Sequence, residues 1–212
     1  IVILTGDLIR KFPEYYKYYS ERSFTYNNII QYNRNLLLAR DDSVDGVKTG
    51  WTSAAGYNLV SSAQRNGMRL VAVVMGIKAD SAVKGSRARA DQSRVLLNWG
   101  FRQFETVMVQ EPNKIIAEPR IWKGSESILP VGTNEIFYVT IPRASRDSLR
   151  LETNLPEEIE APVQAGQTIG TLKAFVGDDS EPVGTQFLVA LKDIPEGNIF
   201  RRFLDSVLRN FH

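Results

Sequence analysis

Cysteine is absent from the 212 residues. That removes disulfides, thiolate nucleophiles and zinc-thiolate sites together and leaves the redox compartment open. Histidine is nearly absent, its one copy being the last residue, His212. A terminal imidazole is badly placed for a buried Ser-His-Asp triad or a histidine metal cage. Any base in an enzyme of this composition is expected to be Lys, Asp or Glu, with no metal and no cofactor. Excess charge of one sign is lacking too: Lys+Arg 26 against Asp+Glu 24 gives +2, too balanced for a chain whose main partner is a nucleic-acid backbone. No run of about 18 apolar residues occurs, so no spanning helix is expected. The chain opens Ile1-Val2-Ile3-Leu4, without an initiator Met, a basic leader or a cleavage site, and reads as a fragment or a mature segment.

What is present is an ordinary globular balance, 43% hydrophobic, 10% aromatic and 24% charged, in a length that allows one large domain or two small ones. Ile1, Leu4, Leu8, Ile9 and Phe12 recur at helical steps until Pro13, which predicts a core helix. Tyr15, Tyr16, Tyr18 and Tyr19 flank Lys17, but no second aromatic-basic stripe accompanies them, so packing is expected rather than base stacking. The runs 57–63 and 68–75 are joined by Gln64-Arg65-Asn66-Gly67, a strong hairpin signal. Because Leu70 to Met75 is almost wholly apolar, its strand is expected centrally in a sheet covered on both faces. A helix over 87–101, with Ala88, Val95, Leu96 and Trp99 as its stripe, is expected to cover that sheet.

After Trp99-Gly100-Phe101 prolines punctuate short Val/Ile/Phe/Thr runs such as 135–141 and 186–191, which predicts a separate small all-β domain. From Ile199 to Phe211 the apolar Ile199, Phe200, Phe203, Leu204, Val207, Leu208 and Phe211 share one face, with Arg201, Arg202, Asp205 and Arg209 on the other. Such a helix either docks on its own domain or lies on an anionic membrane surface. The wide aromatic face favours the second. The expected parts are therefore 1–104, 105–195 and 196–212.

Lys48-Thr49-Gly50 arises by chance only about 0.03 times in a chain of this composition. An ammonium sets positive charge beside a nucleophile, a hydroxyl reaches a substrate carboxylate, and glycine lets a substrate backbone approach. The same tripeptide is one of three motifs of penicillin-binding proteins and class A β-lactamases. With it stand Phe24-Thr25-Tyr26-Asn27, Asn33-Arg34-Asn35-Leu36-Leu37, Val44-Asp45-Gly46-Val47, Ala55-Gly56-Tyr57-Asn58, Asn66-Gly67-Met68-Arg69-Leu70 and Ile194-Pro195-Glu196-Gly197-Asn198. Together these resemble the C-terminal part of the D-alanyl-D-alanine carboxypeptidases, low-molecular-mass penicillin-binding proteins, over nearly the whole chain.

The resemblance implies part of an α/β serine-transpeptidase (β-lactamase-like) domain with an antiparallel sheet and helices, then a small all-β domain, then an amphipathic anchor on the periplasmic face of the bacterial inner membrane. It implies removal of the terminal D-alanine from peptidoglycan stem pentapeptides through a serine acyl-enzyme, with β-lactams as covalent inhibitors. Lys48 is the catalytic candidate. Thr49, Gly50, Trp51, Thr52, Arg34 and Arg89 are the substrate-binding candidates, the arginines as partners for a D-alanine carboxylate. Arg89 also has a plainer reading, solvated beside Arg87 or paired with Asp91. Trp51 stands where many family members have His, and its backbone N–H supplies the same oxyanion donor.

The family also needs Ser-x-x-Lys and Ser-x-Asn upstream of Lys-Thr-Gly. No Ser-x-Asn occurs, and Ser81-Ala82-Val83-Lys84 lies downstream in a connector, so it is rejected as the nucleophile. The serine and its lysine are expected in sequence before Ile1, and this chain alone is expected to be inactive. A class A β-lactamase-like hydrolase and a non-catalytic membrane-associated cell-wall protein are the competing readings.

Overall fold

The structure, a computed structural model, describes residues 1–209 and side chains as far as Leu208. His212, Phe211 and the Arg209 side chain, all named above, lie outside the described residues. The chain divides into two compact units, Ile1–Glu105 and Thr106–His212.

The first unit opens with helix α1 (Val2–Lys11), then one short turn of helix α2 (Pro13–Tyr16), the proline standing at its first turn. Strands β1 (Ser23–Tyr26) and β2 (Ile29–Tyr32) form a two-stranded hairpin. Strands β3 (Val44–Thr52), β4 (Gly56–Arg65) and β5 (Met68–Ile77) form an antiparallel sheet in that order, backed by α3 (Ala82–Gln103). The β4–β5 turn is the Asn66-Gly67 hairpin: both residues take left-handed φ, 49° and 81°, as a type I′ turn requires.

Three expectations need correction. Helix α1 is not a core helix, because Ile1, Val2, Ile3 and Leu4 are exposed and Thr5 is its buried residue. Strand β5 is not central: it pairs with β4 alone among the described residues, and its apolar character is met by α1 and α3, both of which pack on it. The buried stripe of α3 is Gly85, Arg89, Ala90, Ser93, Leu97, Gly100 and Phe101, whereas Val95, Leu96 and Trp99 face outward. Close approach explains that choice. A Cβ on Gly85 would fall 2.3 Å from the Tyr57 ring, and one on Gly100 would fall 2.7 Å from Leu70 Cδ1. Small residues therefore stand at the points of closest approach, beside Leu97 and Phe101 on the same buried face.

The core of this unit gathers Leu37, Leu38, Val44, Leu59, Met68, Leu97 and Phe101. Among Tyr15, Tyr16, Tyr18 and Tyr19, Tyr16 is the buried one; its hydroxyl donates to Asp45 Oδ1 at 2.8 Å, and burial pushes the phenol above its usual range. Arg69 closes that network with bonds to Asp45 and Ser62.

From residue 104 onward β6 (Phe104–Gln110), β7 (Ile115–Ala117), β8 (Ile121–Trp122), β9 (Val131–Gly132), β10 (Phe137–Pro142), β11 (Leu149–Asn154), β12 (Ile159–Glu160), β13 (Thr168–Val176) and β14 (Gly184–Ala190) precede helix α4 (Ile199–Arg209). A five-stranded sheet runs β11-β13-β14-β9-β7; β10 pairs with β6 and β12 with β8. Phe137, Val139 and Ile141 are buried while Tyr138 and Thr140 are exposed, the alternation of a half-buried strand. These side chains join Ile121, Leu129, Leu172, Leu188 and Ile194 in one core.

Helix α4 docks on this unit through its polar side. Asp205 is buried; its Oδ2 accepts from the Lys123 N–H at 2.7 Å, and Arg120 reaches its Oδ1 at 3.5 Å. Arg201 donates to the Ser125 carbonyl, and Arg202 pairs with Glu196. Two of the three arginines expected to be open to an anionic surface, Arg201 and Arg202, are thus engaged within the unit. Phe200 is 87% exposed, and Ile199, Phe203 and Leu204 also point outward.

Candidate functional site

Strand β3 is a sheet edge: β4 covers one side, and no strand among the described residues covers the other. Lys48, Thr49, Gly50 and Trp51 line a cavity of about 570 Å³ along it, with Arg34, Arg89 and Tyr57 completing the wall. The structure thus brings together six of the seven candidate residues. Thr52 is outside the lining, and its hydroxyl accepts from the Ala55 N–H at 2.9 Å, bracing the β3–β4 turn.

Lys48 is exposed and donates from Nζ to the Thr49 carbonyl at 2.6 Å. Arg34 is also exposed, on a segment fixed by two asparagines. Asn33 Oδ1 accepts from Asn35 N–H, while Asn35 accepts from Leu37 N–H and donates to the Gly46 carbonyl on β3. Among the described residues no carboxylate lines the cavity and three cations, Arg34, Lys48 and Arg89, do, which favours an anion.

Arg89 differs from its expected role. It is 5% exposed, and its guanidinium donates to the Gly50 and Asn58 carbonyls at 3.2 and 3.3 Å, to the Arg34 carbonyl at 3.4 Å and to Ser86 Oγ. Burial pulls its pKa below the ordinary arginine value, and the charge of Arg34 adds to that. It is neither solvated nor paired with Asp91, which binds Arg40 and Arg94 instead. One planar fork therefore joins α3 to β3, β4 and the Arg34 segment.

Residues 1–79 match the family described as D-alanyl-D-alanine carboxypeptidase, and residues 104–196 match the penicillin-binding protein 5 C-terminal domain. The chain is 39% identical to the D-alanyl-D-alanine carboxypeptidase DacC of Escherichia coli over its whole length and 52% of that protein. It is 41% identical to DacA of the same organism over 97% of this chain and 49% of the relative. The chain is similar to the C-terminal half of the D-alanyl-D-alanine carboxypeptidases. Penicillin binding protein 5 of Haemophilus influenzae superposes with a TM-score of 0.76 at 38% identity, covering 92% of this chain and 55% of that one. The chain spans about half the length of the curated relatives it matches.

The single Ser-x-x-Lys of the chain has a structural occupation. Ser81 is the N-cap of α3, its hydroxyl accepting from the Lys84 N–H, while Lys84 Nζ pairs with Asp80. Asn35, Tyr57 and Ser86 were not named as site residues from the sequence. Asn35 and Tyr57 lie in segments that carry the family resemblance, but nothing in their spacing distinguishes a brace from an ordinary buried polar or aromatic residue.

Proposed function

We propose that this chain is the Lys-Thr-Gly-bearing part of a serine-type D-alanyl-D-alanine carboxypeptidase that trims the terminal D-alanine from peptidoglycan stem pentapeptides and is acylated by β-lactams. The observation that carries the reading is the edge strand β3, whose Lys48, Thr49 and Gly50 line a cationic, carboxylate-free cavity with Arg34. A peptide adds to such an edge as a further strand. Its C-terminal carboxylate meets Thr49 and Arg34, and Lys48 sets positive charge beside the nucleophile. The Trp51 N–H serves the oxyanion.

A serine outside these 212 residues attacks the penultimate D-alanine carbonyl, D-alanine leaves, and water cleaves the acyl-enzyme. Thr52 supports the turn, and Arg89 acts by holding β3. We assign 1–104 to the catalytic domain, 105–195 to a β-rich second domain and 196–212 to a peripheral anchor on the periplasmic face of the inner membrane. The outward Phe200 and Phe203 and the inward Asp205 of α4 support the anchor. Exposed apolar side chains on α1, β1 and β2 support burial against the nucleophile-bearing segment.

The test is an intact-mass measurement of the full-length protein with benzylpenicillin. A covalent adduct is expected, and Lys48→Ala should slow its formation by about 10²-fold or more. Acylation unchanged by Lys48→Ala would overturn the assignment.

A further inference from the structure

We propose that the Trp51 side chain is a specificity element of this site: a fixed aromatic wall that receives the acyl portion of the ligand and favours aromatic or C–H-rich groups there. The inference rests on the carboxypeptidase reading and deepens it. Trp51 is 57% exposed although it is the largest side chain on the strand. Its ring leans on that of Tyr57, with centroids 5.8 Å apart and planes tilted by 38°. The two residues are also direct partners in the β3–β4 register.

Tyr57 gives that ring a rigid back. It is buried, it fills the slot left by the missing side chain of Gly85, and the Arg89 guanidinium lies 5.8 Å from its centroid. The indole is thus supported on one side and open on the other. Exposed aromatic surface held from behind costs little further ordering when a ligand stacks on it.

Position decides what reaches it. Side chains two apart on a strand share a face, so Thr49 and Trp51 point the same way about 7 Å apart. A ligand lying along β3 with its carboxylate at Thr49 carries its next substituent over Trp51. Trp51, Tyr57 and Ala82 also bound a second cavity of about 300 Å³, which continues past the indole to Ser53 and Ile77. The groove therefore has a carboxylate end and, beyond Trp51, an acyl end.

The experiment compares acylation rate constants of the full-length protein for two penicillins with the same nucleus, one bearing a phenylacetyl and the other an acetyl group. Trp51→Ala should lower the preference for the phenylacetyl compound about three- to tenfold, the range of an aromatic contact. Trp51→Phe should keep most of that preference and Trp51→Leu should lose it, so the answer does not depend on the alanine variant folding. A ratio unchanged in the alanine and leucine variants would overturn the role of Trp51 while leaving the carboxypeptidase reading intact. A wild-type protein acylated by neither compound would overturn both.

Discussion

Arg89 illustrates how far a residue's type lags behind its task. A basic residue near a site for carboxylates reads from sequence as an anion partner. In the fold its donors are spent on three carbonyls and a hydroxyl, so its contribution is the position of Gly50. Arg89→Met should leave those part-buried carbonyls short of donors and cost about 1–3 kcal/mol, read as a lower urea midpoint of the full-length protein. Arg89→Lys should recover only part of the loss, since a point charge does not replace a fork. Lys48, Thr49, Gly50 and Arg34 were legible as a group because a motif and its flanking segments named them. The asparagine braces at 33 and 35 were not, because a side chain's hydrogen-bond partner depends on which strand passes beside it.

At the level of elements, the hairpin at Asn66-Gly67 and the alternation of 137–141 could be read directly, since each encodes a local backbone preference. The buried face of α3 could not. Its contact with the sheet is close, and closeness selects Gly85, Ala90, Ser93 and Gly100 over the bulky residues that a hydrophobic stripe leads one to seek. The end of β4 is tied to the β3 entry and α3 by Arg65, which binds Asp41, Ser43 and Asn98 and stacks on Phe101. Burial acts to raise the Asp41 pKa, but the Ser43 hydroxyl and amide and the Arg65 charge outweigh it and hold the carboxyl below its usual value. A lowered folded pKa stabilises the protein above the unfolded value, near pH 4, and that stability is lost as pH falls through the folded one. Asp41→Asn should therefore cost about 1–3 kcal/mol at pH 7 and flatten the decline in stability below about pH 4, measured by denaturant titrations across pH.

For the whole molecule, the two units differ in how much of themselves they cover. The second has a continuous core under its five-stranded sheet, whereas the first leaves α1 and the β1–β2 hairpin with open apolar surfaces. The proline-punctuated texture after residue 104 made the second unit's β character legible, because prolines and turns bound short strands there. The docking side of α4 was not legible, since an amphipathic pattern names two faces without saying which one meets the protein. With Asp205 pinned beneath it, α4 is already wound before it meets any surface. Removal of residues 199–212 from the full-length protein should abolish sedimentation with anionic vesicles. Addition of such vesicles to the intact protein should leave the far-ultraviolet circular dichroism unchanged. A segment that coiled only on contact would lose about 1–2 kcal/mol per residue in backbone ordering at that moment. Here folding has already met that cost, so on the proposed anchor reading, landing on a bilayer would resemble the placing of a rigid ski rather than the freezing of a loose rope.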